Sequence, residues 1–171
     1  MFSSHLLHLR LLYVFIISFL GLTGCSSFPS SNRLDGISTF YNFGNGGMIK
    51  DRQYVFSNYD STLNVSSGKF SMLLTVRYND RCKISELPLE VEYPDDNTDT
   101  IVKREILVSL FNENDNYEGT GNFGIYEKTI PFQDDYTVGD GFFVSVATSA
   151  SSTKGIISIG LNLKEDVTIP R

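Results

Sequence analysis

The sequence predicts an all-β protein, an antiparallel β-sandwich of about eight strands that forms a single domain behind an N-terminal signal. Three observations support this prediction. Apolar and polar residues alternate at period two through most of the chain, turn-forming dipeptides separate the alternating segments, and no long segment carries the apolar stripe of an amphipathic helix. Such alternation is typical of antiparallel sheets with one buried and one solvated face.

Five long segments and three short ones define the expected strands. The expected buried faces of the long segments are Phe70, Met72, Leu74, Val76 and Tyr78; Leu87, Leu89, Val91 and Tyr93; Tyr126, Lys128, Ile130 and Phe132; Phe142, Val144 and Val146; and Ile157, Ile159, Leu161 and Leu163, alternating with Ser158, Gly160 and Asn162. The short segments lie near 37–43, 54–57 and 106–111. Asp140-Gly141 favours a hairpin, and residues 94–97 are expected to close another strand.

A short apolar segment precedes this domain. Residues 11–22 are almost wholly apolar, and twelve residues are too few for a bilayer span, which needs roughly 20. Leu22-Thr23-Gly24-Cys25 then has the pattern of a bacterial lipoprotein cleavage site. We therefore expect 1–24 to be a lipoprotein signal peptide, 25–36 a lipidated N-terminus and flexible tether, and 37–171 the sandwich domain. A plain transmembrane anchor, or a hydrophobic helix followed by a chance cysteine, is the alternative.

Cys25 is the expected attachment point. As an N-palmitoyl, S-diacylglycerol cysteine it would carry three acyl chains, and two already give stable membrane anchoring. Ser26 and Ser27 follow it, so the aspartate that retains some lipoproteins in the inner membrane is missing. The acidic run that resembles a surface-export signal is missing too. We expect an outer-membrane lipoprotein on the periplasmic face, with the cell surface as the alternative.

Cleavage before Cys25 excludes several kinds of chemistry. It removes both histidines (His5 and His8) and Arg10, which changes the formal charge from −6 to −7. A chain without histidine has no Ser-His-Asp or Cys-His arrangement and lacks the commonest nitrogen ligand of zinc. An acidic domain also binds phosphate backbones poorly, which disfavours nucleic acid. We expect a non-enzymatic protein with no catalytic, cofactor-binding or metal-binding residues.

Three local patterns have a chemical and a structural interpretation. Cys82, the one cysteine left after lipidation, is either a reactive or intermolecular thiol or a half-buried small apolar residue, and the latter is favoured. Residues 119–124 match G-x-G-x-x-G, but a strand-like segment follows, so a glycine-rich turn or bulge is favoured over a nucleotide site. Asp95-x-Asn97-x-Asp99 resembles the start of a calcium loop, although the glycine and glutamate that should follow are Thr100 and Ile106. A solvated turn is favoured, and a calcium site of another geometry stays open.

Two further groups of residues also have a functional and a structural interpretation. Glu90, Glu92, Asp134 and Asp135 could supply a glycosidase carboxylate pair. Glu90 and Glu92, two apart on a strand, could meet the required distance, yet they alternate with apolar residues like an ordinary solvated face. An aromatic group precedes the first long strand and either fills the core, which is favoured, or forms a surface for glycan or protein. Its members are Phe40, Tyr41, Phe43, Tyr54, Phe56 and Tyr59.

Five short motifs occur in order along the chain, namely Val76-Arg77-Tyr78-Asn79, Leu87-Pro88-Leu89-Glu90, Asp99-Thr100-Ile101, the 119–126 segment and Gly155–Leu161. Their order resembles the gliding-motility-associated lipoprotein family GldH of Bacteroidota. The chain lacks the tryptophans expected in that family, and its 112–118 segment is unusually rich in Asn and Asp.

The resemblance implies an accessory or scaffold protein of a cell-envelope machine related to gliding motility and type IX secretion. Its expected partners are the membrane, through the lipid, and other envelope proteins. The alternative function is a surface-exposed lipoprotein that binds glycan or another external ligand.

Overall fold

The computed structural model describes residues 36–44, 46–59, 62–98, 100–114 and 116–165. The expected signal peptide, Cys25 and the tether as far as residue 35 lie outside these residues. The described part contains nine strands: β1 Gly36–Asn42, β2 Tyr54–Ser57, β3 Gly68–Asn79, β4 Glu86–Pro94, β5 Ile101–Ser109, β6 Thr120–Asn122, β7 Ile125–Val138, β8 Phe143–Thr148 and β9 Ile156–Glu165. The eight predicted strands are all present, and β6 is an addition.

The strands form two antiparallel sheets packed as a sandwich, which confirms the predicted fold class. The larger sheet has the order β1-β9-β3-β7-β6 and the smaller sheet the order β2-β8-β4-β5. β3 lies between β9 and β7, and its long ladders to both make it the central strand of the larger sheet. Among the described strands, each sheet therefore ends in two edge strands, β1 and β6 in one and β2 and β5 in the other.

The core follows the predicted alternation on β3 and β4. Every second side chain of β3, from Phe70 to Tyr78, is at most 6 % exposed, and so is every second side chain of β4, from Leu87 to Tyr93. Full burial of one such aliphatic or aromatic side chain stabilises the fold by about 1.5–3 kcal/mol. The two strands lie in different sheets, so these faces supply much of the apolar layer between them.

β9 departs from the expected pattern of one buried and one solvated face. Ser158, Gly160 and Asn162 are buried, like the apolar residues on its other face. Asn162 donates a hydrogen bond from Nδ2 to Oγ1 of Thr75 at 2.6 Å on the neighbouring strand β3. The outer face of β9 is therefore a packed polar layer within the larger sheet, between β1 and β3.

An aromatic ring from the edge strand covers this layer. Phe40 of β1 is the register partner of Gly160 on β9, and its ring lies where a Cβ at Gly160 would be. The guanidinium of Arg77 lies 4.1 Å from the centre of the Phe40 ring, while its Nε contacts Glu127 at 2.6 Å. Glycine at position 160 thus allows an aromatic residue to seal the outside of the larger sheet.

The Asp140-Gly141 turn differs from its prediction. β7 belongs to the larger sheet and β8 to the smaller one, so the turn carries the chain across the sandwich and joins no hairpin. The turn itself is tight: the amide of Phe142 donates to the carbonyl of Gly139, and Gly141 has a φ of 78°. A dipeptide pattern specifies the turn but leaves open which sheet the next strand joins.

We predict that Gly160→Ala destabilises the protein by about 1–3 kcal/mol, because the added methyl group displaces the Phe40 ring. Urea unfolding measures the change in the free energy of unfolding. In a Phe40→Ala background the same substitution should cost much less, and a double-mutant cycle gives the coupling. Gly139→Ala is the matched control, since a Cβ there meets nothing within 4 Å, and should stay within about 0.5 kcal/mol of the unmutated protein. Equal costs of Gly160→Ala in both backgrounds would contradict the prediction.

Candidate functional site

The glycine-rich motif forms a β-hairpin between β6 and β7. Thr120, Gly121 and Asn122 pair with Glu127, Tyr126 and Ile125, which leaves Phe123 and Gly124 as a two-residue turn. Both turn residues have positive φ, 53° and 76°, as a type I′ turn requires. The long strand β7 follows, whereas a dinucleotide site needs a helix at this point. The interpretation as a glycine-rich turn entering a strand is confirmed.

The base of this hairpin is held by stacked aromatic rings. The Tyr117 and Tyr126 rings lie 3.9 Å apart at 14°, and Phe111 packs on Tyr117 with ring centres 4.9 Å apart. Gly121 lets β6 approach closely, since a Cβ there would lie 2.6 Å from the Tyr126 ring. Lys128 and Glu118 form an ion pair beside the stack. The ring stack and the ion pair thus hold the hairpin in a defined conformation, and we call it a supported hairpin below.

The tip of the hairpin is apolar and exposed. The Phe123 side chain is 95 % exposed, and Ile125 is 49 % exposed. Type I′ turns favour Asn or Asp at the position that Phe123 occupies, because a positive φ is strained for a bulky side chain. A residue that is both strained and unfavourably hydrated contributes nothing evident to folding. We therefore take the hairpin tip, Phe123 with Ile125, as the candidate functional site.

An aromatic cleft lies at the opposite side of the sandwich, between the edge strands β1 and β2. It has a volume of about 430 Å³, and Tyr41, Phe43, Ile49, Arg52 and Tyr54 are among its lining residues. The Tyr54 ring packs against the other two rings with centres 4.9–5.5 Å apart. The Tyr41 hydroxyl donates to the carbonyl of Val55 at 2.6 Å. The rings therefore have a packing role, because they close the open side of the sandwich, and only their remaining exposed surface is accessible to a ligand.

The structure separates the six aromatic residues that the sequence grouped. Tyr54 and Phe56 are buried, and Tyr41 and Phe43 pack against the core, as predicted. Phe40 lies on the outer face of the larger sheet over Gly160. Tyr59 is 83 % exposed. The prediction of core filling is therefore wrong for Phe40 and for Tyr59.

Cys82 carries no disulfide and packs in the core as a small apolar residue, as predicted, although it is fully buried where the sequence predicted half-burial. Its Sγ lies 3.8 Å from the carbonyl oxygen of Ile84. Burial raises the pKa of the thiol, which lowers the fraction of reactive thiolate at neutral pH.

The predicted calcium-like loop is a self-bonded turn in its described part. One carboxylate oxygen of Asp95 accepts the amide hydrogens of Asn97 at 2.9 Å and Thr98 at 3.0 Å, so the side chain caps its own loop. Asp99 lies outside the described residues. Within the described ranges, no group of three or more His, Cys, Asp or Glu side chains is arranged to hold a metal ion.

The carboxylates considered as a glycosidase pair do not form one cleft. Glu90 and Glu92 lie on β4 of the smaller sheet, and Asp134 and Asp135 lie on β7 of the larger sheet. Glu92 is paired with Lys103, and Asp135 with Lys69 at 2.8 Å. Glu90 faces Glu105 across the β4–β5 ladder on the outside of the sandwich. Glu90 and Glu92 lie on the outer face of β4, as the alternation indicated, with Glu90 exposed and Glu92 partly buried.

A comparison of the sequence with known protein families and with curated proteins finds no match. In the part of the chain that the structure describes, no helix has the length and apolar character to cross a membrane.

We predict that stability falls as pH rises from 10 toward 12, because burial raises the pKa of Tyr136 and of Tyr78 from 10.0 to about 12. The unfolded chain releases these protons first, so the stability is fully present below pH 10 and is lost above it. Tyr136→Phe removes one such group and should give a shallower decline in urea unfolding between pH 10 and 12. It also loses the hydrogen bond to the Pro94 carbonyl, at a cost of about 0.5–1.5 kcal/mol at pH 7. Tyr59→Phe, at an exposed position, is the control, and an unchanged alkaline slope in Tyr136→Phe would contradict the prediction.

Proposed function

We propose that the protein is a non-enzymatic lipoprotein, anchored through Cys25 at the outer membrane, that serves as an accessory or scaffold component of an envelope machine. The lipoprotein cleavage pattern Leu22-Thr23-Gly24-Cys25 supports the location. The removal of both histidines with the signal peptide supports the non-enzymatic role. The resemblance to the GldH family supports a machine related to gliding motility or type IX secretion.

One observation carries the proposed mode of action: Phe123 is almost fully exposed at the tip of a supported hairpin. Aromatic side chains that enter a pocket on a partner often dominate the energy of a protein interface. The stacked rings at the base hold the hairpin in shape, so docking orders few residues and loses little conformational entropy. The tip therefore suits insertion into an apolar pocket of another envelope protein.

We predict that Phe123→Asn loses the partner without loss of stability. Asparagine suits the left-handed turn position better than phenylalanine, so the free energy of unfolding should stay unchanged or rise by about 1 kcal/mol. The measurement is co-purification from detergent-solubilised outer membranes of cells producing the full-length protein, with the partner quantified by mass spectrometry. Recovery should fall at least tenfold.

Tyr59→Asn provides the matched control, because it removes an exposed aromatic residue from another loop. Its partner recovery should equal that of the unmutated protein. Equal recovery with Phe123→Asn, or no envelope protein recovered with the unmutated chain, would reject the proposed mode of action.

The aromatic cleft gives the alternative function, binding of an external glycan, a specific site to test. The Arg52 guanidinium lies 5.6 Å from the centre of the Tyr54 ring at the cleft, where it would meet a polar ligand. Under this alternative, protease cleaves the protein on intact cells. Binding to an array of neutral and acidic oligosaccharides is then lost in Arg52→Ala and retained in Lys50→Ala. Protection from protease together with no array binding excludes it.

A further inference from the structure

β5 is an edge strand whose outer hydrogen-bonding side carries no described partner. It pairs with β4 along its whole length, Ile101–Ser109, and no described strand pairs with its other side. The comparable edge of the larger sheet, at β6 and β7, is different. There β6 covers only residues 125–127 of β7, and Pro131 interrupts the part beyond it. Proline blunts a sheet edge, and β5 contains none.

The outward-facing side chains of β5 form a pattern that is complementary to itself. Along the solvent face run Ile101, Lys103, Glu105 and Leu107, and the two apolar residues are 47 % and 59 % exposed. An antiparallel copy centred on Arg104 places Ile101 opposite Leu107 and Lys103 opposite Glu105, each pair twice. On the inner face it places Val102 opposite Ile106. Directly opposed apolar pairs and opposite charges are the contacts that stabilise antiparallel sheets.

The charges on the neighbouring strand strengthen this match. Glu105 faces Glu90 across the β4–β5 ladder, and no cation among the described residues lies within salt-bridge distance of either carboxylate. Like charges directly opposite each other destabilise a sheet. A second copy would bring its Lys103 beside Glu105 and relieve this repulsion. Within one copy Lys103 already bonds Glu92. Glu92 and Lys103 of one copy and Glu105 of the other would therefore form a row of alternating charges across the interface.

The one like-charged pair in this register is Arg104 with itself. Each Arg104 is already held within its own sandwich, where its guanidinium donates to the carbonyl of Phe132 and to the side chain of Gln133. It also lies 5.9 Å from the centre of the Tyr93 ring. These contacts direct the arginine toward β7 and away from the interface backbone.

We propose that β5 pairs with β5 of a second copy, antiparallel and centred on Arg104, so that two smaller sheets join into one continuous eight-stranded sheet. This surface is formed by the smaller sheet and is distinct from the hairpin tip, so the two proposals fail independently. A strand-to-strand contact of this size buries less than a standard interface of roughly 1,600 Å², so the dimer is weak in dilute solution. Its register, however, is specific and can be tested residue by residue.

The first test uses single cysteines in the full-length protein. Ile101→Cys and Leu107→Cys are both at exposed positions, so the fold tolerates them. The proposed register places residue 101 opposite residue 107 and opposite no second copy of itself. Membranes containing both variants together, treated with a mild oxidant, should give a disulfide-linked dimer at least tenfold above either variant alone or the unmutated chain. Equal cross-linking in the separate and mixed samples, or cross-linking to a different protein, would overturn the proposal.

The second test exchanges the charges. Lys103→Glu and Glu105→Lys should each lose association of the full-length protein in detergent, measured by sedimentation velocity over a range of concentrations. The double variant should restore it, and so should a mixture of the two single variants, because each then supplies the charge that the other lacks. Phe123→Asn should leave the dimer unchanged. An unmutated protein that stays monomeric at every concentration in sedimentation, together with mixed Ile101→Cys and Leu107→Cys samples that give no disulfide-linked dimer, would refute the pairing. A double variant without rescue would refute it as well.

Discussion

The burial of one face of β3 is the constraint on which the rest of the structure depends. Five alternate side chains of this strand, from Phe70 to Tyr78, are at most 6 % exposed. Burying them requires a second apolar layer, which β4 supplies from the smaller sheet, and hydrogen-bonding partners on both sides, which β9 and β7 supply. A one-residue slip of this strand would turn the whole apolar set to solvent. The register of the larger sheet is therefore strongly specified.

The sequence is informative where one physical rule acts alone. Period-two alternation located eight strands and assigned the buried faces of β3 and β4, because a half-buried strand leaves that pattern by itself. It did not reveal that both faces of β9 are buried, since the cover comes from Phe40 on a strand more than a hundred residues away in sequence. It also placed Asp140-Gly141 in a hairpin, although the turn joins different sheets. Both differences arise from long-range pairing, which local composition does not encode.

The candidate surfaces also combine features that the local sequence predicts with features that depend on long-range strand pairing. The glycines at 119–124 predicted a turn with positive φ, but only the register of β6 with β7 places Phe123 at its tip. A phenylalanine next to glycine at a predicted turn was the available signal, since this residue type suits neither the turn nor solvent. Likewise, the sequence predicted β5 only as a strand, and the sheet order shows that it is an edge strand. The titratable groups of the interior stay neutral. Burial raises the pKa of Cys82, Tyr78 and Tyr136, so these side chains keep their protons at neutral pH.

The position of β9 has a consequence for the timing of folding. β9 is the last described strand in the chain, yet it lies between β1 and β3 and provides the only ladder that joins β1 to the rest of the described larger sheet. A chain that emerges from its N-terminus, whether from a ribosome or through a membrane pore, lacks that ladder until residues 156–165 have emerged. Topologies dominated by such distant contacts fold slowly. The larger sheet is therefore completed only after β9 has emerged, which makes its closure a late step among the described strands.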